Sequence, residues 1–438
     1  MGEVKIRLHR GTHQIGGSIT EIYTESTHIF IDFGSELNAD PGDSTDEEMV
    51  RRIQHAKCDA VLFTHYHGDH IGLMDKIPPK DVDGKPIKLG MGKVAREVLI
   101  NIHRTLAKNK EASEEERKHH RDYIGILVDS ERKLNFYDNK PFTIGDFEIT
   151  PIMVDHSAYD AYMFVIKACG KVIVHTGDFR THGRLGDKFF ERLNRRLNGL
   201  PVDILITEGT MMSRLKEKVR SEQSMEEEAL ELLSQPDNKY AYLICSSTNM
   251  ESLASFANTA MKLGRPFLVN YYVLEQINLF KRTAGRWNKK FRFQKTYKFE
   301  NIYKYLPKLQ MTQPQYMKEN GFVMLIGSSP SYRKYINLFN KDNPLLIYSM
   351  WKNYVKKGDD AYDVKLGNLY HNWEGHIKDL HTSGHATAYD IRNMILTVKP
   401  EKHIIPIHTE EPDAFKKLDI GEYAGKLVMP EDGDIVEV

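Results

Sequence analysis

The chain has 438 residues, with 61 Lys and Arg against 61 Asp and Glu, so its formal net charge is zero. That balance excludes a uniformly basic protein and a strongly acidic one, while leaving room for a local basic stripe. Apolar residues at 40% and charged residues at 28% exclude a disordered chain and fit a globular protein of roughly two to three domains.

In chain order, VKIRLH, SITEIYT (18–24) and HIFIDFG predict three short strands, separated by turns at Gly16-Gly17 and Glu25-Ser26. A helix is expected from about Asp46 through MVRRIQHA, then a buried strand in DAVLFTH (59–65). Residues 91–133 read as polar helix around EASEEERKHH, and strands resume at 147–154, 162–168, 171–176 and 202–207. From 209 to 370, helical stretches (225–235, 250–263) alternate with the apolar runs YAYLICS, PFLVN, GFVMLIG and PLLIYSM, the pattern of a parallel α/β unit. From about 371 the earlier character returns. The expected organisation is an α/β layered domain begun by 1–208, interrupted by an inserted domain at 209–370 and closed by 371–438. Cys58, Cys169 and Cys245 are scattered and form no CxxC pair, as in a reducing compartment. The N-terminus has no apolar signal region, and no run of 18 apolar residues occurs, so a cytoplasmic protein with no membrane segment is expected.

The densest chemical signal is His65-Tyr66-His67-Gly68-Asp69-His70, directly after a buried strand. Strand ends of this kind are where α/β sheets place their sites. Imidazole and carboxylate suit Zn2+ or a similar divalent ion. His65 and His67 alternate along an extended segment and project to one side, while Asp69 and His70, past the turn at Gly68, aim at a second point. One ion needs a further protein ligand and an open position for water, and a second ion needs ligands of its own. His156, Asp178 and His408 each stand just past an apolar β run and are the candidates.

This set resembles the metallo-β-lactamase fold. Glu208 in ILITEGT, His385 in HTSGHA and His408 in IIPIHTEE, together with the insert, resemble its β-CASP branch. The form His381-Thr382-Ser383-Gly384-His385 is most similar to ribonuclease J, and the similarity covers the chain apart from that family's extra C-terminal domain, which is expected to be absent. The implied fold is an αββα sandwich with an inserted α/β β-CASP domain. The implied cofactors are two Zn2+, with Mn2+ as the alternative. One ion would be held by His65, His67 and His156, the other by Asp69, His70 and His408, and Asp178 would bridge them. The implied activity is that of a ribonuclease, in which a metal-bridging hydroxide attacks the phosphodiester in line. Asp69, Glu208 and His385 form the implied catalytic set: His385 would contact the scissile phosphate or protonate the leaving oxygen, and Glu208 would orient a ligand histidine. His381 and Ser383 would contact phosphate. Histidine at position 408 goes with RNA-processing members of the branch, where DNA-repair members carry Val. The chain departs from ribonuclease J at Thr409, where that family has Gly, and in a Ser-rich loop expected near 347–353, which reads IYSMWKN.

Residues 281–298, KRTAGRWNKKFRFQKTYK, hold eight Lys or Arg and no acid, interleaved with aromatics. Cations neutralise phosphates and aromatic rings stack on bases, so Arg286, Trp287, Lys289, Lys290 and Arg292 are candidate contacts to single-stranded RNA. The alternation of Phe291 and Phe293 predicts a strand with Arg292 on its other face. A solvated half-buried strand explains the stripe equally well. KHHR (118–121) is read as solvated surface, Asp32 as a residue holding its loop, and Trp351 and Tyr354 as core. Two other functions are compatible with the residues. One is a hydrolase of the same fold acting on DNA or a small phosphodiester, with the insert as a lid. The other is a non-catalytic scaffold, which predicts lost ligands, and none of the seven is lost. Endo or exo mode and oligomeric state are open.

Overall fold

The computed structural model describes residues 2–37, 44–186, 188–299 and 312–438. Contacts divide the chain into two units. The first comprises Met1–Thr181, Leu185–Lys218 and Gly384–Val438, and the second His182–Arg184 and Val219–Ser383.

Among the described residues the first unit contains two sheets. One has seven strands, with the early hairpins antiparallel and His28–Ile31, Ala60–Leu62, Lys88–Gly92 and Lys133–Phe136 side by side and parallel. The other has six strands, with Phe147–Val154, Ala161–Ala168, Lys171–His175, Ile204–Glu208 and His403–Ile407 adjacent in that order. The period-two pattern of Ala161–Ala168 explains the layering. Ala161, Met163 and Val165 face a core closed by the helices Phe189–Leu197 and Ala388–Val398, through Phe189, Leu193, Ile391, Met394 and Ile395. Tyr162 and Phe164 point the other way and meet Phe136 of the first sheet edge-on, at 5.0 and 5.3 Å between ring centroids. Each sheet therefore buries one face against the other, and helices cover the outer face of the second sheet.

Strand direction places the chemistry. Phe147–Val154 and Lys171–His175 both run antiparallel to Ala161–Ala168, and Ile204–Glu208 and His403–Ile407 run parallel to Lys171–His175. The carboxyl ends of these four strands thus share one edge, and they are followed by His156, Asp178, Glu208 at the strand's last position, and His408. In the first sheet, Asp32 follows His28–Ile31, and His65 to His70 follow Ala60–Leu62.

The second unit holds a six-stranded sheet whose neighbouring strands all pair in parallel, with Tyr240–Cys245 central between Phe322–Leu325 and Leu345–Ser349. Leu345–Ser349, where IYSMWKN stands in place of a Ser-rich loop, begins that segment as a fully buried strand. His376–Asp379 pairs with Leu345–Ser349, so the insert's sheet extends past residue 370. Apolar content alone hides this, because the strand HIKD is a half-exposed edge with a single aliphatic side chain.

Candidate metal centre

The segment from His65 to His70 leaves its strand extended and turns at Gly68 into a single helical turn, Gly68–Ile71. Its backbone is pinned on both sides. Ser18 N–H donates to Asp69 O at 3.1 Å, and Phe33 N–H donates to His70 O at 2.8 Å. Gly34 lies so close to the Asp69 carbonyl that a Cβ would come within 1.7 Å of its oxygen, which requires glycine there.

Three imidazole nitrogens then converge. His67 Nδ1 is 3.1 Å from His65 Nε2 and 3.1 Å from His156 Nε2. A single ring proton on His67 can satisfy only one of these contacts well. Four-coordinate zinc with Zn–N of about 2.0–2.1 Å has N···N edges of roughly 3.3 Å, close to the spacing found. A second group is formed by Asp69, His70 and His408, with Asp69 Oδ2 3.1 Å from His408 Nε2 and 3.8 Å from His70 Nε2. Between the groups lies Asp178 Oδ2, 3.2 Å from His70 Nε2, 3.8 Å from His65 Nε2 and 3.9 Å from His156 Nε2. Both Asp178 oxygens are buried and accept no well-formed hydrogen bond. A buried carboxylate in that state needs a cation, so the donor set fits one or more divalent metals.

The electrostatics agree for the group of His65, His67 and His156. Burial, with the neighbouring imidazoles of His70, His156 and His67, holds His65 well below the usual histidine range; burial, then His67, does the same for His156, and burial holds His67 down at about 4. Neutral imidazole is the ligand form. For Asp178, burial works against the charge, but His408, His70 and His385 outweigh it and keep the carboxyl well below its ordinary value.

The far sides of three of the ligand histidines are also held. His70 Nδ1 meets Asp32 Oδ2 at 2.7 Å, His156 Nδ1 meets the Gly384 carbonyl at 2.6 Å, and His408 Nδ1 meets Thr210 Oγ1 at 2.9 Å. Such outer partners fix ring orientation and tautomer. Asp32 and His408 both adopt left-handed backbone, with φ of 62° and 51°, a strain that concentrates at functional sites. The fully buried Arg180 donates Nε to Asp155 Oδ1 at 2.7 Å and its backbone N–H to Asp155 O at 2.7 Å, tying the loop of His156 to the loop of Asp178.

Comparisons with known proteins match this arrangement. Residues 37–244 match the model of a beta-lactamase superfamily domain, and residues 372–420 match that of a Zn-dependent metallo-hydrolase RNA specificity domain. Ribonuclease J of Helicobacter pylori strain B128 is 22% identical over 452 residues, covering 99% of this chain and 60% of the relative. Ribonuclease J of strain J99 matches at the same identity and coverage. The chain thus spans about 60% of the length of the curated relatives it matches. The chain is thus similar to the metallo-β-lactamase superfamily, in a ribonuclease J-like form. A crystal structure of a protein of unknown function from Enterococcus faecalis V583 shares the fold, with a TM-score of 0.68 at 18% identity over 100% of both chains.

All seven candidate ligands lie together at the carboxyl-end edge of the first unit. His385 joins them there, its Nδ1 3.4 Å from Asp178 Oδ2 and 3.3 Å from Glu208 Oε2. Burial opposes a charge on His385, but Glu208, then Asp178 and Asp69, raise its pKa to about 9. Glu208 touches His385 and accepts from Phe179 N–H at 2.8 Å. It ends its own strand beside the Gly384–Ala386 turn, where it also accepts from Ala386 N–H at 3.4 Å. Asp32, Thr210 and Arg180 were not singled out as site residues from sequence. A lone Asp or Thr after a strand carries no distinguishing spacing, although a polar residue at the end of each strand sharing the site's edge is a signal that topology alone makes usable.

His381 and Ser383 belong to the second unit, where Ser383 O accepts from or faces His182 Nε2 at 2.8 Å. The basic stripe lies there too. Residues 291–293 form no strand: the segment is two short 3-10 turns, Ala284–Arg286 and Lys289–Phe291, with Phe293 in left-handed backbone at φ 45°. That turn sends both Phe291 and Phe293 inward, and leaves Arg286, Trp287, Lys289, Lys290 and Arg292 exposed, Trp287 at 90%. Trp351 and Tyr354 are exposed, against the expectation that they are core.

Proposed function

We propose that this chain is a two-metal phosphodiester hydrolase acting on single-stranded RNA. The observation that carries the reading is the placement of Asp178 Oδ2 between two groups of buried ligands. His65, His67 and His156 would hold one ion, Asp69, His70 and His408 the other, and Asp178 would serve both; Zn2+ suits the set and Mn2+ is the alternative. Bound there, such ions supply Lewis acidity toward a phosphoryl oxygen and a water acidic enough to act as nucleophile near neutral pH. His385, held protonated by Glu208 and Asp178, is placed to give its proton to the departing oxygen. Asp32, Thr210 and the Gly384 carbonyl keep the ligand rings in register through the reaction.

RNA is favoured by the match at 372–420 and by the name of the curated relatives. The exposed Trp287 within a cluster of cations supports a polymer, since the ring offers a stacking face and the cations offer phosphate partners. His381 and Ser383 are further phosphate contacts in this reading. None of the helices among the described residues is long and apolar enough to cross a membrane. The test uses end-labelled RNA and its DNA counterpart, each with 5′-phosphate or 5′-hydroxyl ends, with Zn2+ or Mn2+ and an Asp178→Ala control. RNA cleavage that the control abolishes supports the reading, and the ladder separates endo from exo. Equal cleavage of DNA makes the chain a general nuclease. Cleavage of neither, with metal bound, removes the ribonuclease reading and leaves a small phosphodiester as substrate.

A further inference from the structure

The polar helix that carries His119 and His120, Glu114–Val128, packs beside the helix Lys93–Leu106, which carries His103. Arg96 ties the two together by donating Nη1 to the Leu127 carbonyl at 3.0 Å. In sequence the three histidines have no common spacing, and none belongs to the metal centre. In the fold, His103 Nδ1 and His120 Nδ1 face each other at 3.1 Å.

His103 is held rigidly. Its ring stacks on Tyr123, with centroids 3.8 Å apart and planes within 7°. His119 stands beside His120 at 5.3 Å between centroids, and its Nδ1 is 3.8 Å from Asp75 Oδ2. Asp75 also faces Lys76 Nζ at 3.2 Å, so its charge is partly balanced.

We propose that His103 and His120 form an accessory binding site for a divalent transition metal, with His119 at its rim. Two nitrogens 3.1 Å apart, each about 2.05 Å from a metal, subtend about 100°, between the tetragonal and tetrahedral values. Imidazole donors with no carboxylate select Cu2+, Ni2+ or Zn2+ over Mg2+, Ca2+ or Mn2+. The remaining positions face water, because His120 is only partly covered and His119 is exposed. The site is therefore exchangeable rather than structural. Burial, then the neighbouring His120 and His119, holds the His103 imidazole down at about 4, and burial lowers His120 as well, so both rings are in the ligand form at neutral pH.

The site is separate from the main centre, and its test does not depend on the hydrolase reading. The full-length protein is first saturated with Zn2+ and then titrated with Cu2+, read by electron paramagnetic resonance and equilibrium dialysis. The expected result is one Cu2+ with coupling to imidazole nitrogen. His120→Asn weakens it at least about tenfold, the lower bound for losing even an outer partner of a metal ligand. His103→Asn does the same, and Asp178→Ala leaves it unchanged. Thermal melting of each variant verifies the fold, and the surface-facing His120→Asn keeps the test decisive if the stacked His103 variant unfolds. Unchanged Cu2+ binding in His120→Asn, or loss of it in Asp178→Ala, overturns the proposal.

Discussion

His70 and Asp32 form a buried pair, Nδ1 to Oδ2 at 2.7 Å, with Asp32 just past the strand His28–Ile31 and His70 in the helical turn that follows the adjacent parallel strand Ala60–Leu62. Asp32 also accepts from Thr64 N–H at 2.7 Å and from Thr64 Oγ1 at 2.8 Å. Burial disfavours charge on His70, but Asp178, Asp32 and Asp69 raise its pKa well above the ordinary value. An amide at position 32 tolerates the left-handed backbone, yet its NH2 cannot accept from Thr64 or His70. Asp32→Asn is expected to lower metal affinity by about 10–100-fold while the protein stays folded. Metal competition titration alongside thermal melting measures both.

His385 acts on the substrate side of the same edge. His385→Ala is expected to lower kcat by about 10²–10⁴ with metal content unchanged. Glu208→Gln removes the carboxylate that raises the His385 pKa, so the basic limb of the pH–rate profile moves to lower pH. Steady-state rates across pH, with metal analysis of each variant, separate proton transfer from metal loss.

Trp287 and its neighbours give a prediction in binding rather than rate. Trp287→Ala is expected to weaken single-stranded RNA binding by about 1–3 kcal/mol through lost stacking, with an unchanged salt slope. Arg292→Ala reduces the magnitude of that slope by about 0.7, as for one phosphate contact on a single strand. Fluorescence titrations at several salt concentrations, using the inactive Asp178→Ala protein, read both quantities.

Glu21 governs acid stability far from the centre. Burial would raise its carboxyl, but hydrogen bonds with His28 and His9, at 2.7 and 3.0 Å, and their charge hold it at about 2. Its folded pKa is depressed, so its stabilisation is complete above the unfolded value of 4.5 and is lost as pH falls toward 2. Glu21→Gln is expected to cost about 1.5–3 kcal/mol at pH 7 and to flatten the stability curve between those pH values. Denaturant unfolding across pH 2–7 measures it.

The site was legible where spacing carries chemistry. His65, His67, Asp69 and His70 lie within six residues, and His156, Asp178 and His408 each follow an apolar strand that the fold brings to one edge. What sequence left obscure depends on contacts between distant segments. Asp32 reads as any loop carboxylate until His70, 38 residues away, lands on it. Phe291 and Phe293 alternate like a strand and are both buried as a strand would have them, but they lie at the end of a 3-10 turn and in left-handed backbone, a backbone choice that side-chain periodicity does not encode. His103 and His120 lie on different helices and meet only through helix packing. His376–Asp379 is too polar to read as a strand, and its place follows from the unpaired edge of Leu345–Ser349 that it covers.

In the proposed function Asp178 would stand between two metal ions. Crystals grown with Zn2+ or Mn2+, with diffraction recorded at the metal's absorption edge, test it most directly. The account predicts two anomalous peaks roughly 3.5–4 Å apart, one among His65, His67 and His156 and one among Asp69, His70 and His408, with Asp178 Oδ2 between them. A single peak at full metal saturation, or a second peak away from Asp69, His70 and His408, would contradict it.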